Sequence, residues 1–331
     1  MTYSSGIEDI EAEIARVKPV LDMVRQQIGA VIVGQKGMVD RLLIGLLAKG
    51  HILLEGVPGL AKTTAVQALA DALELEFKRI QFTPDLLPSD LIGTQIYNPK
   101  EGSFSTHKGP VFTDVVLADE INRAPAKVQS ALLEAMQERQ VTMDGQTHRL
   151  PESFMVLATQ NPIEQEGTYP LPEAQADRFL MKVRIDYPDR AEELEILRRR
   201  ASGVPSVRAV ASEDDLAAAR AVVAQIRMEA VIEEYIVSLV QATRPGGIGA
   251  SSVAGQFIDV GASPRATLAL SQTARAHAFL VGGRGYVTPD DVKAMARDVL
   301  RHRVVVSYDA EADGIGPDEV IAKLLDSVRT P

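Results

Sequence analysis

The chain has 331 residues, of which 46% are hydrophobic and 24% charged, and it contains no cysteine and no tryptophan. This length is typical of about two domains, and the apolar content excludes a disordered chain. The lack of cysteine excludes disulfide scaffolds, thiol catalysis and cysteine-bound zinc. Its net charge of −10 disfavours broad binding to duplex DNA or to anionic lipid.

No targeting or membrane-spanning segment is predicted. Residues 1–20 are acidic and lack the apolar stretch of a signal peptide. The longest apolar run is interrupted by Lys49, Gly50 and His51, and it falls short of a membrane span. We therefore expect a soluble, cytoplasmic protein.

The first half of the chain alternates helical and strand-like segments. Apolar residues at spacings of three and four predict a helix over 7–28, with Ser5 as its cap. The alternation that follows predicts an α/β fold with a parallel sheet. The predicted strands are 51–56, 77–82, 111–120, 154–159 and 179–185, and the predicted helices include 38–48, 62–73 and 124–138.

Two insertions interrupt this alternation, at residues 94–108 and 140–149. Each has turn residues between short β-prone runs, which is typical of a hairpin. No core is evident for Tyr97, Phe104 and Met143, so we expect these side chains to be exposed and to contact another protein. The alternative is that they pack on their own domain.

The pattern becomes almost wholly helical after about Pro188. We therefore predict an α/β domain over 1–187 that includes the N-terminal helix and both hairpins. A smaller α-helical domain over 188–331 is predicted to follow it.

The segment Gly56-Val57-Pro58-Gly59-Leu60-Ala61-Lys62-Thr63 follows a predicted strand and opens a predicted helix, as a phosphate-binding loop does. Backbone N–H groups near the helix start would face the phosphates, Lys62 would reach the β- and γ-phosphates, and Thr63 would ligate Mg²⁺. Ala61 replaces the usual glycine, and alanine, the smallest substitute, is tolerable there if that residue has helical φ. The predicted phosphate-contacting residues are Gly56, Pro58, Gly59, Leu60, Ala61, Lys62, Thr63 and Thr64.

Polar residues end two further predicted strands. Asp119 and Glu120 close an apolar strand, where Asp119 would hold Mg²⁺ through water and Glu120 would orient or deprotonate the attacking water. Asn161 follows another strand and could sense the γ-phosphate or hold the water. The alternatives are an acidic helix N-terminus for the carboxylates and a turn for the asparagine.

Five motifs, in this order and spacing, resemble those of the MoxR family of AAA+ ATPases: GVPGLAKT, LADEINRAP, ATQNP, LPEAQADRF and GASPRA. The resemblance spans roughly residues 30–300. It implies an AAA+ P-loop core with a five-stranded parallel sheet, followed by a smaller all-α lid. By the same match, Asn161 resembles sensor one, Arg178 the arginine finger and Arg265 sensor two. The hairpins resemble the insertions of this clade.

The resemblance also implies ATP with Mg²⁺ as ligands and a ring of subunits, commonly a hexamer. Family members act as chaperone-like ATPases that mature partner proteins or insert metal cofactors, and their partners often carry a von Willebrand factor A domain. Independently, Arg178 ends a loop rich in Pro and Glu, from which it could reach a neighbouring subunit's site. Arg123 is a second candidate for an interface contact. Nothing in the sequence indicates the client, or whether Arg265 acts on its own subunit's nucleotide.

Two alternative functions stay open at this point. One is a motor on nucleic acid, which the net charge of −10 disfavours. The other is a nucleotide-gated scaffold with negligible turnover, which the presence of Glu120 and Asn161 disfavours.

Overall fold

The computed structural model describes residues 2–100, 102–143, 145–162, 167–203, 205–247 and 251–331. Its strands are β1 (Ile52–Glu55), β2 (Phe77–Gln81), β3 (Gly93–Asn98), β4 (Ser103–Lys108), β5 (Val115–Asp119), β6 (Gln140–Met143), β7 (Gln146–Arg149), β8 (Met155–Gln160), β9 (Met181–Arg184), β10 (Ile258–Val260) and β11 (Val305–Val306). Five of them form one parallel sheet in the order β2-β5-β8-β1-β9.

These five strands are the five predicted from apolar runs, and the predicted parallel sheet is confirmed. The third strand is shorter than expected, because it begins at Val115 rather than at residue 111. The central strands β5 and β8 are buried almost throughout, as continuous apolar runs require when both faces of a sheet are covered.

The helices account for most of the rest of the chain. The first begins at Thr2, so Ser5 lies inside it and the predicted N-cap at Ser5 is wrong. The helices are α1 (Thr2–Val31), α2 (Lys36–Leu47), α3 (Lys62–Ala72), α4 (Pro88–Ile92), α5 (Ala126–Glu138), α6 (Glu173–Ala176), α7 (Arg190–Ser202), α8 (Glu213–Gln225), α9 (Ala230–Gln241), α10 (Ser252–Phe257), α11 (Pro264–Leu280), α12 (Pro289–Leu300), α13 (Tyr308–Ala312) and α14 (Pro317–Ser327).

Alternate residues of the sheet pack into two different cores. Val115 and Leu117 belong to a large cluster shared with α1, α2, α3 and the helices after α7. Val116 and Ala118 face the other side, where α4, α5 and β6 cover them. The period of two along the strand thus builds a three-layered α/β unit.

The part of the chain from α7 onward is helical apart from the antiparallel pair β10–β11 among the described residues. Asp189 caps α7 by accepting hydrogen bonds from the N–H groups of Ala191 and Glu192, each at 2.8 Å. The large cluster runs without a break from the sheet into these helices. The domain boundary near Pro188 therefore stays a prediction.

The two hairpins differ in what their side chains contact. In β3–β4, Tyr97 and Phe104 are 52% and 67% exposed and pair across the strands, with ring centroids 5.1 Å apart. In β6–β7, Val141 and Met143 are buried against the core beneath α5. The expected exposure is confirmed for Tyr97 and Phe104 and wrong for Met143, because β6 lays one face on the domain.

Both hairpin turns place a glycine at positive φ, Gly102 at 64° and Gly145 at 80°, as the turn signals require. The turn residues Glu101 and Asp144 lie outside the described residues. Among the helices that the structure describes, none combines the length and the apolar character needed to cross a membrane.

Candidate functional site

The loop 56–61 joins β1 to α3 and has two sites of backbone constraint. A Cβ on Gly56 would lie 2.8 Å from the carbonyl oxygen of Ile185, so only glycine fits there. Ala61, directly before α3, has φ 56° and ψ 23°. The condition of helical φ is not met at Ala61, and a left-handed alanine costs about 1–2 kcal/mol.

Lys62 begins α3 and folds back over this loop. Its Nζ donates a hydrogen bond to the carbonyl oxygen of Gly56 at 2.6 Å. Burial lowers the pKa of Lys62, while the negative charges of Asp119 and Glu120 act in the opposite direction. The ammonium group therefore lies among groups that fit an anionic ligand with a bound cation.

Asp119 and Glu120 end β5, and a threonine from the adjacent strand joins them. Thr159 donates its hydroxyl hydrogen to Asp119 Oδ1 at 2.6 Å, and its Oγ1 accepts the Glu120 N–H at 2.8 Å. Thr159 is fully buried. This one hydroxyl holds the side chain of one carboxylate and the backbone of the next.

Strand β2 supplies further partners to the same carboxylates. Arg79 donates to Asp119 Oδ2 from Nε at 3.0 Å and from a terminal nitrogen at 2.7 Å. Gln81 Nε2 donates to Glu120 Oε2 at 2.7 Å, and Arg123 Nε lies 3.0 Å from the same oxygen. In this arrangement both carboxylates are engaged by side chains of their own chain.

Sequence reasoning missed Arg79, Gln81 and Thr159. A signal was present, because Arg79 and Gln81 alternate on one face at the end of a predicted strand. Thr159 lies two residues before Asn161, at the end of the neighbouring strand. The carboxyl ends of adjacent parallel strands meet at one edge of a sheet, which is where ligands bind.

These groups line a single cleft of about 490 Å³ at the carboxyl edge of the sheet. Its hydroxyl and carboxylate oxygens are the hard ligands that Mg²⁺ prefers, and Lys62 adds a cation for phosphate. The donor set therefore fits a magnesium–nucleotide complex. The predicted residues that line the cleft are Pro58, Gly59, Ala61, Lys62, Thr63, Thr64, Asp119, Glu120 and Asn161.

A second cavity of about 460 Å³ adjoins the cleft, and the two share Gly59, Ala61 and Thr64. Leu60, a predicted loop residue, faces this cavity instead of the cleft. Its other walls are the end of α1 with the residues after it, Pro188, Pro205, and Ile196, Arg199 and Arg200 of α7. It is mostly apolar, and no sequence motif pointed to it.

The two predicted arginines lie elsewhere. Arg178 precedes β9 and Arg265 opens α11, and both line a pocket of about 370 Å³ with Lys49, His51 and Arg139. Since His51 precedes β1 whereas the loop 56–61 follows it, this pocket lies at the opposite edge of the parallel sheet from the cleft. The structure brings Arg178 and Arg265 together, but away from Lys62 and Glu120.

Arg178 differs from the charged residues of the cleft in its hydrogen bonding. Its Nε is buried and has no hydrogen-bond partner in the described part of the chain. Arg265 is about half exposed, and its guanidinium lies 4.0 Å from Asp177. Two cations are therefore presented on a surface remote from the chain's own cleft.

The fold and the loop define a P-loop nucleotide-binding protein of the AAA class. The family model of the ATPase family associated with various cellular activities matches residues 51–181, and that of the AAA lid domain matches residues 250–324. The solved structure of a Cytophaga hutchinsonii protein assigned as an ATPase is 48% identical, covers 98% of both chains and superposes with a TM-score of 0.90.

Three curated relatives narrow the family. Chaperone MoxR1 of Mycobacterium tuberculosis is 49% identical over 98% of this chain and 85% of its own length. YeaC of Bacillus subtilis is 44% identical over 95% of each chain. Protein MoxR of Methylorubrum extorquens is 33% identical over 92% of this chain and 94% of its own. The chain belongs to the MoxR family of AAA+ ATPases.

Proposed function

We propose that this protein binds ATP with Mg²⁺ in the cleft and hydrolyses it. The observation that carries the proposal is the convergence of Lys62, Asp119 and Glu120 on one cleft at the start of α3. The N–H groups at the helix start and the ammonium of Lys62 favour a polyphosphate. Thr63, and Asp119 through water, would hold Mg²⁺, which neutralises phosphate charge when bound.

Lys62 is the group that changes partner when ATP binds. In the structure it satisfies the Gly56 carbonyl oxygen. In the bond to the carbonyl only the donor is charged, whereas with phosphate oxygens donor and acceptor carry opposite charges, which strengthens the interaction. The adjoining apolar cavity beside Leu60 and Ile196 would receive the nucleobase.

Glu120 is the proposed general base. Its carboxylate would accept a proton from the attacking water, which Asn161 would help to orient. Glu120 Oε2 is held by Gln81 and Arg123. Both contacts are made to Oε2, so Oε1 is the oxygen that would accept the proton from the water.

Arg178 and Arg265 would complete the site of a neighbouring subunit. They lie at the opposite edge of the sheet from their own cleft, so a head-to-tail arrangement brings them to another copy's nucleotide. Such an arrangement forms a ring when the rotation between copies closes, and we infer a closed hexamer from the family. An arginine placed on the transferring phosphoryl group accelerates hydrolysis by about 10³–10⁵-fold.

The cycle of ATP hydrolysis would drive chaperone-like remodelling or metal-cofactor insertion in a client protein. A relative named Chaperone MoxR1 supports this role. The exposed Tyr97–Phe104 pair offers an apolar surface to a client. A separate protein with a von Willebrand factor A domain is the proposed partner.

Calorimetric titration with a non-hydrolysable ATP analogue, together with steady-state ATP hydrolysis, tests the site. Lys62→Ala should abolish measurable binding and turnover. Lys78→Ala is a matched control, because Lys78 lies on β2 but alternates to the face opposite Arg79 and Gln81. Equal affinity in Lys62→Ala and wild type would contradict the proposed site.

A further inference from the structure

The two arginines at the far edge of the sheet come from distant parts of the chain. Arg178 follows α6, whereas Arg265 belongs to the first turn of α11. Asp177 contacts the groups that position both. Its side chain is mostly buried, and its two oxygens accept bonds from two different residues of the helical part.

One of these bonds leads to Arg265. The Ser263 hydroxyl donates to Asp177 Oδ2 at 2.9 Å, while Ser263 Oγ accepts the N–H of Arg265 at 3.2 Å. Ser263 is also the N-cap of α11. A chain of two hydrogen bonds therefore joins the carboxylate beside Arg178 to the backbone of Arg265.

The other bond leads to Arg303, whose side chain is only 2% exposed. Arg303 Nε donates to Asp177 Oδ1 at 2.7 Å. Its terminal nitrogens donate to carbonyl oxygens on both sides of the junction, those of Asp177, Phe179, Leu180 and Val299. Asp177 is thus the countercharge of a buried guanidinium that ties the end of α12 to the segment before β9.

We propose that Asp177 is a positioning residue that fixes Arg178 and Arg265 at a set separation, through Ser263 and Arg303, so that both reach one nucleotide on a second copy of this chain. The proposal rests on the proposed function above. Asp177 itself touches no reacting atom. Its loss should lower turnover through the two arginines and leave the chain's own cleft unchanged.

The first measurement does not depend on ATP hydrolysis. Because the chain has no cysteine, Glu173→Cys and Leu268→Cys supply two exposed thiols for spin labels beside Asp177 and on α11. Pulsed electron resonance on labelled protein diluted with unlabelled protein then gives one intramolecular distance distribution. Adding Asp177→Asn or Ser263→Ala should broaden or shift that distribution.

Ser212→Ala is the matched control, because Ser212 caps α8 through the same kind of hydroxyl bond and does not contact Asp177. It should lower the melting temperature as Ser263→Ala does, but leave both the distance distribution and the turnover unchanged. Ser263→Thr keeps a capping hydroxyl and should restore the wild-type distribution.

The second measurement is the kinetic coupling to Arg265. Ser263→Ala should lower kcat about tenfold with KM for ATP changed less than about twofold, because the affected group acts on another subunit's transition state. In an Arg265→Ala background, Ser263→Ala should lower kcat further by less than about twofold. Equal losses in both backgrounds, or an unchanged distance distribution in Asp177→Asn, would overturn the positioning role.

The two measurements separate this inference from the proposed function. If the distribution broadens in Asp177→Asn while Arg178→Ala and Arg265→Ala both hydrolyse ATP at the wild-type rate, the structural coupling stands and the proposed use of the arginines is wrong. If both arginine variants lose turnover but Asp177→Asn and Ser263→Ala keep it, the inference fails and the proposed function stands.

Discussion

The two edges of the parallel sheet carry different sets of charged groups. At the carboxyl edge, Lys62, Asp119 and Glu120 share one cleft, and each is already paired within its own chain. At the amino edge, Arg178 leaves a buried Nε without a hydrogen bond among the described residues, and Arg265 is about half exposed. The carboxyl edge thus carries carboxylates beside a lysine, whereas the amino edge carries two arginines that lie away from the chain's own cleft.

This difference is what the proposed function requires, in which one chain contributes to two different sites. The polar groups of the cleft satisfy one another, so the cleft can form in a single subunit. A buried donor without a partner costs about 1–3 kcal/mol, and an anion from a neighbouring copy would remove that cost. The experiments below test this division from the largest expected effect to the smallest.

Arg178→Ala should lower turnover by about 10³-fold or more while nucleotide affinity stays close to wild type, because the arginine meets charge that develops in the transition state. ATPase activity of wild type per subunit should also rise with protein concentration. Steady-state kinetics and titration with a non-hydrolysable analogue measure both quantities.

Mixing decides whether Arg178 acts between subunits. Arg178→Ala subunits combined with Glu120→Gln subunits should regain activity, since some interfaces then join an intact Glu120 to an intact Arg178. An arginine that served its own cleft would leave every mixed site defective. If mixtures that are shown to co-assemble do not recover ATPase activity, Arg178 does not act between subunits.

Glu120→Gln should lower turnover by about 10²–10⁴-fold and keep ATP bound, because the amide retains the shape of the carboxylate but cannot accept a proton. Asp85→Asn is a suitable control for removal of an exposed carboxylate outside the cleft lining. Single-turnover hydrolysis separates slow chemistry from slow product release. Retained turnover would assign activation of the water to another group.

The parts of the fold that follow from periodicity were predictable. Residues 115–118 and 155–158 are apolar without interruption, as is typical of a strand covered on both faces of a sheet. Met143 was not predictable, because the burial of β6 depends on where α5 lies. A short polar hairpin has the same sequence pattern whether it projects into solvent or lies on the domain.

The candidate site was predictable only in part. The loop 56–61 and the pair Asp119–Glu120 have local sequence signals, since each needs particular residues at the end of a strand. Arg79, Thr159 and the apolar cavity beside Leu60 depend on the order of the strands and on the course of α7. The positive φ of Ala61 is set by the geometry of the β1–α3 connection, which residue type alone does not reveal.

At the amino edge, His51 should make the protein less stable in acid. Its Nδ1 accepts the Val156 N–H at 2.9 Å and its Nε2–H donates to the Met136 carbonyl oxygen at 3.1 Å, so the ring is neutral. Burial and the nearby charge of Arg139 lower the pKa of His51 to about 4.

Since the unfolded chain binds this proton near pH 6.5 and the folded chain only near pH 4, the contribution of His51 is complete above pH 6.5 and is lost as the pH falls towards 4. The loss amounts to about 3 kcal/mol. Urea unfolding of wild type and His51→Gln at pH 7 and pH 4.5 should show a smaller acid effect in the variant. Equal acid effects in the two proteins would contradict this origin.

At the carboxyl edge, Thr159→Val should lower the free energy of unfolding by about 1–3 kcal/mol, because it leaves the Glu120 N–H and one oxygen of Asp119 without their hydroxyl partner. Valine keeps the shape of the side chain. Thr142→Val is a control, since the Thr142 hydroxyl is exposed on β6. If both variants unfold at the same urea concentration, the Thr159 bridge between the Asp119 carboxylate and the Glu120 N–H contributes no stability.

The smallest expected effect concerns Ala61, which lies in the left-handed region at φ 56°. Glycine would relieve about 1–2 kcal/mol of steric cost and lose about 0.5–1 kcal/mol through greater freedom in the unfolded chain. Ala61→Gly should therefore raise the free energy of unfolding by up to about 1.5 kcal/mol. Glu74→Gly, at φ 53° on an exposed turn after α3, should give a similar gain outside the phosphate loop. Ala61→Val should act in the opposite direction, because a β-branched side chain is strained at positive φ. A loss of stability in Ala61→Gly, with the expected gain in Glu74→Gly, would mean that the alanine methyl group contributes more to the cleft through its contacts than its backbone conformation costs.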